Sequence, residues 1–146
     1  MDYLKDGNKN DLGRFFTGPF IWLPLPFFIL LDAVASLYQF ICFPIHGIEK
    51  VERSKYILIM DRNKLQYLDA FQKIGCMYCG YANGLLVYLK EIAGLTEKYW
   101  CGIMHETKPG FINQPSQKAL NFAKFNDVED FVKKYWPKNW RNNLKK

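Results

Sequence analysis

The longest apolar stretch of the chain lies near its N-terminus and covers residues 15–45. It holds one charged residue, Asp32, and it is longer than the run of about twenty apolar residues that crosses the hydrocarbon core of a bilayer. Three prolines crowd its first part, and proline is tolerated in the first turn of a helix but not in its interior. The pattern therefore predicts one membrane-spanning helix over residues 25–43. A re-entrant hairpin hinged at residues 24–26 is the alternative interpretation.

After the membrane segment, the sequence predicts a short apolar element and then a helix. Residues 55–60 are almost entirely apolar, which predicts a short strand or a buried connector. Residues 64–74 carry apolar side chains at helical spacing and predict a helix. Asp61 or Asn63 can cap its start, and Gly75 is expected to end it.

A second soluble helix is predicted from about residue 81, because small and apolar side chains recur there at helical spacing: Ala82, Leu85, Leu86, Leu89, Ile92 and Ala93. It extends at least to Ala93, and to Trp100 if Gly94 does not break it. A turn region rich in proline and glycine follows.

The last predicted helix begins at Asn126, where residues 126–129 have the pattern of a capping box, and it stops before Pro137. The sequence thus predicts a mainly α protein. Its N-terminal membrane helix, or re-entrant hairpin, is followed by a small helical domain with at most one or two short strands.

Composition divides the chain into four segments: a polar N-terminus (1–14), a membrane segment (15–47), a soluble helical domain that contains the Cys and His residues (48–132) and a basic aromatic tail (133–146). The chain carries 20 Lys and Arg against 14 Asp and Glu, a net charge of +6. The tail holds six basic residues and no acidic one, and tryptophans are interleaved with them. Such a segment suits anionic lipid headgroups. Single-stranded nucleic acid is the competing partner, but the membrane segment favours lipid, and no nucleic acid is expected.

Three cysteines and one histidine of the soluble part form two pairs, Cys76-x-x-Cys79 and Cys101-x-x-x-His105. Each spacing lets two side chains reach one ion, and three thiolates with one imidazole make a common structural zinc site. An iron–sulfur cluster with mixed ligation is the alternative. Because all four positions would be protein ligands, the pattern favours a structural or electron-transfer role over catalysis.

A shared metal site places a condition on the helix between the pairs. An unbroken helix over residues 81–100 would be about 30 Å long and would hold the pairs apart, so the chain must break, with Gly94 the obvious place. A second interpretation needs only the first pair. If Cys76 and Cys79 precede a helix, its N-terminal dipole favours the reactive thiolate, as in thiol–disulfide oxidoreductases.

Charges near the membrane segment indicate its surroundings and orientation. Asp32 is costly in lipid, so we expect it to face protein, water or a membrane-protein partner. Five basic residues follow the segment within residues 50–64 and three precede it, which places the C-terminal domain in the cytoplasm. Unpaired thiols agree with a reducing compartment.

One part of the chain is similar to a known family. Residues 76–84 read Cys-Met-Tyr-Cys-Gly-Tyr-Ala-Asn-Gly, and residues 96–105 read Thr-Glu-Lys-Tyr-Trp-Cys-Gly-Ile-Met-His. They resemble a family of small uncharacterised bacterial membrane-anchored proteins with the pattern C-x-Y-C-x-Y-x-N-G … T-E-x-Y-W-C-x-I-x-H, over roughly residues 14–105. The resemblance implies a protein of the bacterial inner membrane and supplies no activity.

The residues and the resemblance together predict a membrane-anchored, zinc-binding protein that is a structural or adaptor component of a bacterial membrane assembly. Its ligands would be Cys76, Cys79, Cys101 and His105. The alternative is a membrane-bound thiol–disulfide oxidoreductase or iron–sulfur electron carrier that uses the Cys76 and Cys79 pair.

Overall fold

The computed structural model describes residues 11–59, 61, 64–112 and 115–136. These residues form five α-helices: α1 (Asp11–Trp22), α2 (Leu25–Ile45), α3 (Ala70–Trp100), α4 (Pro115–Ala119) and α5 (Val128–Tyr135). Among them the sole β contact is one isolated parallel bridge between Ile103 and Ala123. The predicted mainly α class is confirmed. The basic aromatic tail is described only as far as Trp136, so the predicted headgroup binding by residues 133–146 falls largely outside the described residues.

The apolar N-terminal stretch forms two helices separated by a turn at residues 23–24. α2 begins at Leu25, as predicted, and its first turn holds the proline pair that the sequence placed there. A helix before Leu25, here α1, is expected from the hairpin alternative hinged at residues 24–26 and not from the single spanning helix over residues 25–43. Pro19 lies inside α1 and removes one helical hydrogen bond, but its carbonyl still accepts from the N–H of Leu23 at 3.1 Å.

A glycine cap at the end of α2 reverses the chain. Gly47 has φ 65°, the left-handed conformation that glycine adopts without steric cost. The N–H of Ile48 then reaches back to the carbonyl of Phe43 at 2.8 Å, and the N–H of Gly47 reaches Pro44 at 3.3 Å. This is the hydrogen-bond pattern of a Schellman motif. The following segment therefore returns along α2 instead of leading away from it.

The returning segment covers one face of α2, on which Asp32, Gln39 and Phe43 are buried. The side-chain amide of Gln39 makes two hydrogen bonds with the backbone of Val51. It accepts from the N–H at 2.7 Å and donates to the carbonyl at 3.2 Å. Residues 55–60 were predicted as a strand or a buried connector; Ile57 is buried, and no strand forms among the described residues of this segment.

The two helices predicted over residues 64–74 and from residue 81 are one helix, α3, so the predicted break at Gly75 is wrong. Asp69 and Gln72 form a reciprocal cap, with the N–H of Gln72 donating to Asp69 Oδ1 at 2.8 Å and the N–H of Asp69 donating to Gln72 Oε1 at 3.2 Å. This cap sets the start of the helix at Ala70, six residues after the predicted Lys64. Glycine inside a helix costs only about 1 kcal/mol relative to alanine, which neighbouring turns offset.

The chain forms two compact units whose boundary lies within α3, between Val87 and Tyr88. Composition instead divided the chain after residue 47. The structural division differs because residues 48–59 pack on α2 and on the first part of α3. A Cβ built on Gly84 would overlap the carbonyl oxygen of Tyr56 and lie 3.0 Å from Ile57 Cα.

The second unit contains the rest of α3 with α4 and α5. Gly94 lies against α4, where a Cβ would be 3.5 Å from Ser116 Cβ. α5 is capped by Asp127, one residue after the predicted cap, and this carboxylate accepts from the N–H of Asp130 at 2.9 Å. Lys134 donates to Asp130 at 2.9 Å and holds the pKa of that carboxyl below its usual value.

Two glycines of α3 offer a matched test of this packing. Gly84→Ala should lower the free energy of unfolding by about 1–3 kcal/mol, because the methyl group collides with backbone that cannot rotate away. Gly75→Ala, which meets nothing within 4 Å, should raise it by up to about 1 kcal/mol. Urea unfolding in detergent, followed by circular dichroism, measures both. Equal effects would contradict the close approach at Gly84.

Candidate functional site

A charged cluster lies on the buried face of α2. Asp32 is 8% exposed, and its carboxylate accepts hydrogen bonds from three other side chains. Arg53 donates through Nε to Oδ1 at 3.1 Å and through Nη2 to Oδ2 at 2.6 Å. Tyr81 of α3 donates its hydroxyl to Oδ2 at 3.0 Å, and Ser36 donates to Oδ1 at 3.4 Å. The cluster thus ties α2 to the returning segment and to α3.

The two-point contact between Asp32 and Arg53 is the strongest geometry available to a carboxylate and a guanidinium. A buried charge without its partner is strongly destabilising, so Asp32 depends on Arg53. Burial, together with the hydrogen bond to Asp32, raises the pKa of the Tyr81 hydroxyl to about 12. At neutral pH this hydroxyl therefore stays protonated and donates to Asp32.

The expectation that Asp32 faces protein or water is met within the chain, and an additional membrane-protein partner at this residue stays a prediction. The sequence indicated that Asp32 needs polar surroundings, because a lone carboxylate in an apolar run is costly in lipid. It did not identify Arg53, which lies 21 residues away. Tyr81 gave no signal beyond its aromatic packing.

Cys76 and Cys79 lie in the interior of α3, one helical turn apart. Cys79 is exposed and Cys76 is half-buried. Both line a cavity of about 400 Å³, together with Tyr56, Leu58, Gly80 and Asn83. The Asn83 side chain donates to the carbonyl of Cys79 at 2.8 Å. This hydrogen bond fixes the orientation of the Asn83 amide beside the pair.

Cys101 and His105 lie in the second unit. Cys101 is exposed directly after α3, and its N–H donates to the carbonyl of Glu97 at 2.8 Å. His105 is exposed, with Nε2 at 4.0 Å from Glu97 Oε1 and its ring edge-on to Phe111. The same Glu97 oxygen accepts from the buried Gln117 amide at 2.9 Å.

The two cysteine-containing pairs lie in different units, Cys76 and Cys79 in the first and Cys101 and His105 in the second. α3 passes through Gly94 without a break, although a shared site requires one there. Residues 11–59, 61, 64–112 and 115–136 contain no group of three or more His, Cys, Asp or Glu side chains placed to hold a metal ion. The Cys3His zinc site and the iron–sulfur alternative therefore stay predictions without geometric support.

The redox interpretation loses one of its arguments as well. Cys76 and Cys79 were expected to precede a helix, whose free N-terminal amides would face them. The N-terminal amides of α3 belong instead to its first turn, which begins at Ala70. The expected position of the pair was wrong because Gly75 was taken as the end of a helix.

The ion pair on α2 can be tested by removing one charge. Arg53→Ala should lower the free energy of unfolding by roughly 3 kcal/mol, the lower end for a broken buried pair, because the Arg53 side chain is 46% exposed. The double variant Asp32→Leu with Arg53→Met should recover most of that loss.

Lys55→Ala is the matched control for this measurement. It removes an exposed ion pair with Glu52 in the same segment and should cost less than about 1 kcal/mol. Chemical denaturation of the four proteins in one detergent gives the comparison. If Arg53→Ala and Lys55→Ala behave alike, Asp32 does not depend on Arg53.

Comparison with protein-family models, curated proteins and solved structures gave no match. The resemblance seen over residues 14–105 therefore stays a prediction. Conclusions about function depend on the contacts within this chain.

Proposed function

We propose that this protein is attached to one face of a membrane by α1 and α2, which lie along the bilayer surface and do not cross it. It serves there as an anchored structural or adaptor component, in the bacterial inner membrane with the residues after α2 on the cytoplasmic side. One observation carries the proposal: the polar segment that comes after α2 lies along the buried face of that helix.

The opposite face of α2 supports contact with lipid. Its large apolar side chains are 45–72% exposed and recur at helical spacing: Phe27, Leu30, Leu31, Val34, Leu37, Phe40, Ile41 and Ile45. Phe20 of α1 is 73% exposed as well. Soluble monomers rarely expose apolar patches of such extent. Residues 16–45 are also long and apolar enough to cross a membrane, which by itself is weak support for either arrangement.

The polar face of α2 supports the surface arrangement over the spanning one. A helix of 21 residues is about 31 Å long, so its middle would lie at the centre of a bilayer that it crossed. Asp32 and Gln39 lie on either side of that middle, and both bind the non-helical segment after α2. That segment carries exposed charges at Glu52 and Lys55.

Irregular backbone and solvated charges are not stable in hydrocarbon, where each polar group needs a partner. On a membrane surface the same segment faces water while the apolar face of α2 enters the lipid. At the edge between them, the Lys50 ammonium lies 4.4 Å from the centre of the Phe40 ring. A lysine stem placed in this way suits the headgroup region.

Zinc binding is not part of this proposal, since the described residues give it no geometry. Attachment to the membrane requires neither of the cysteine-containing pairs.

The topology of α2 tests the proposal directly. Two exposed positions on either side of the helix, Gly13 and Glu49, can each be changed to cysteine in a chain whose four native cysteines are serine. In sealed inverted membrane vesicles, a membrane-impermeant maleimide should label both positions from the same side. Labelling from opposite sides would show that the chain crosses the bilayer and would overturn the surface arrangement.

Charges placed on the apolar face should release the protein. Phe27→Glu with Val34→Glu should weaken binding to anionic lipid vesicles roughly 100-fold, because each loses the transfer free energy of an apolar side chain, about 1.5–3 kcal/mol. Flotation on a density gradient measures the bound fraction. Glu52→Gln with Lys55→Gln, on the polar segment, is the control and should float like the parent. Equal flotation of all three proteins would contradict lipid contact by this face.

A further inference from the structure

The cavity beside the thiol pair of α3 is not used by membrane attachment. We infer that Cys76 and Cys79 bind one soft monovalent cation, Cu(I), through their two sulfur atoms. Cys101 and His105 take no part in this site. The inference is independent of the proposed membrane function, because it uses the contacts of α3 and the returning segment only.

The spacing on the helix suits two-coordinate binding. Side chains three residues apart on a helix have Cβ atoms about 5–6 Å apart and lie on the same face. Metal–thiolate bonds are about 2.3 Å long in zinc proteins, so two of them in line span about 4.6 Å. Two cysteine side chains at this spacing can therefore hold one ion between their Sγ atoms without any change in the backbone. The helix interior keeps this spacing fixed.

The surroundings of the pair leave room for an ion. Both thiols border the cavity of about 400 Å³, and Cys79 is followed there by Gly80, which has no side chain to fill the space. Leu58 adds an apolar wall. Among the cavity's described lining residues, the two cysteines are the only sulfur ligands, and neither a carboxylate nor an imidazole is present.

The ligand set selects the metal. Structural zinc takes four protein ligands, and iron–sulfur clusters are commonly held by four. No third His, Cys, Asp or Glu joins the pair within the part of the chain that the structure describes. Calcium and magnesium require oxygen ligands. Thiolates prefer soft ions, and of these Cu(I) is satisfied by two.

Binding converts both thiols to thiolates. One Cu(I) ion forms two copper–sulfur bonds, and two protons leave to the solvent, so the complex carries one negative charge. No electron is transferred. Because protons are released, affinity should increase as the pH rises.

The test uses the full-length chain, reduced and kept anaerobic in detergent, with Cu(I) supplied from its complex with bicinchoninate. Loss of the chelator's colour should show one Cu(I) per chain, and X-ray absorption should show two sulfur neighbours. Cys76→Ser and Cys79→Ser should each weaken binding roughly 100-fold or more, because even outer-shell changes cost 10–100-fold.

The double variant Cys101→Ser with His105→Ala is the matched control and should bind within about threefold of the parent. If it loses Cu(I) as completely as Cys76→Ser does, all four residues form one site, and the two-thiolate site is wrong. Binding that survives Cys76→Ser, or no binding by the reduced parent, would also overturn it. Flotation of the same variants keeps this result separate from membrane attachment.

Discussion

A carboxylate on an apolar helix must be matched by a positive charge and by hydrogen-bond donors, and Asp32 obtains both from residues far along the chain. Arg53 supplies the charge through two contacts, and Tyr81 supplies a hydroxyl that burial keeps protonated. The cost of leaving this carboxylate unpaired explains why the segment after α2 turns back. The same pairing brings α3 against α2, since Tyr81 belongs to α3. Much of the first unit is therefore organised around one ionised group.

This arrangement gives α2 two unlike faces. One face carries the charged cluster and the Gln39 amide, and both are satisfied by the chain itself. The other face is apolar and exposed. These two faces support the proposed interfacial position of α2, although its length and composition also suit a spanning helix. Tertiary contacts, and not hydropathy, favour the interfacial arrangement of α2 over the spanning one.

The sequence predicted what depends on local pattern. The start of α2 at Leu25 followed from its prolines, and the end of α5 followed from Pro137. The continuity of α3 was missed because Gly75 resembles a helix stop, while the decisive cap at Asp69 lies close to two equally good candidates, Asp61 and Asn63. The position of Cys76 and Cys79 was missed for the same reason. The pair precedes a helix only if the chain breaks at Gly75, and α3 does not break there.

Other features could not be read from any local pattern. An ionised Asp32 needs a partner, but 21 residues separate it from Arg53, and the chain can turn back to it because of the glycine cap at Gly47. In the sequence, Gly84 does not differ from other helical positions, although in the structure the backbone of Tyr56 packs against it. Contacts between residues that lie far apart in the chain leave no repeating pattern in the sequence.

The paired hydrogen bonds between Gln39 and Val51 limit how this region can vary among related chains. Connections on protein surfaces usually accept inserted or deleted residues. Here one added or lost residue between the Gly47 cap and Val51 would displace the backbone that Gln39 binds and, two positions later, the guanidinium that neutralises Asp32. The length of this short connection is thus set by the contacts that its residues make with Gln39 and Asp32. We expect the length to stay constant among related chains even where the amino acids of the connection differ.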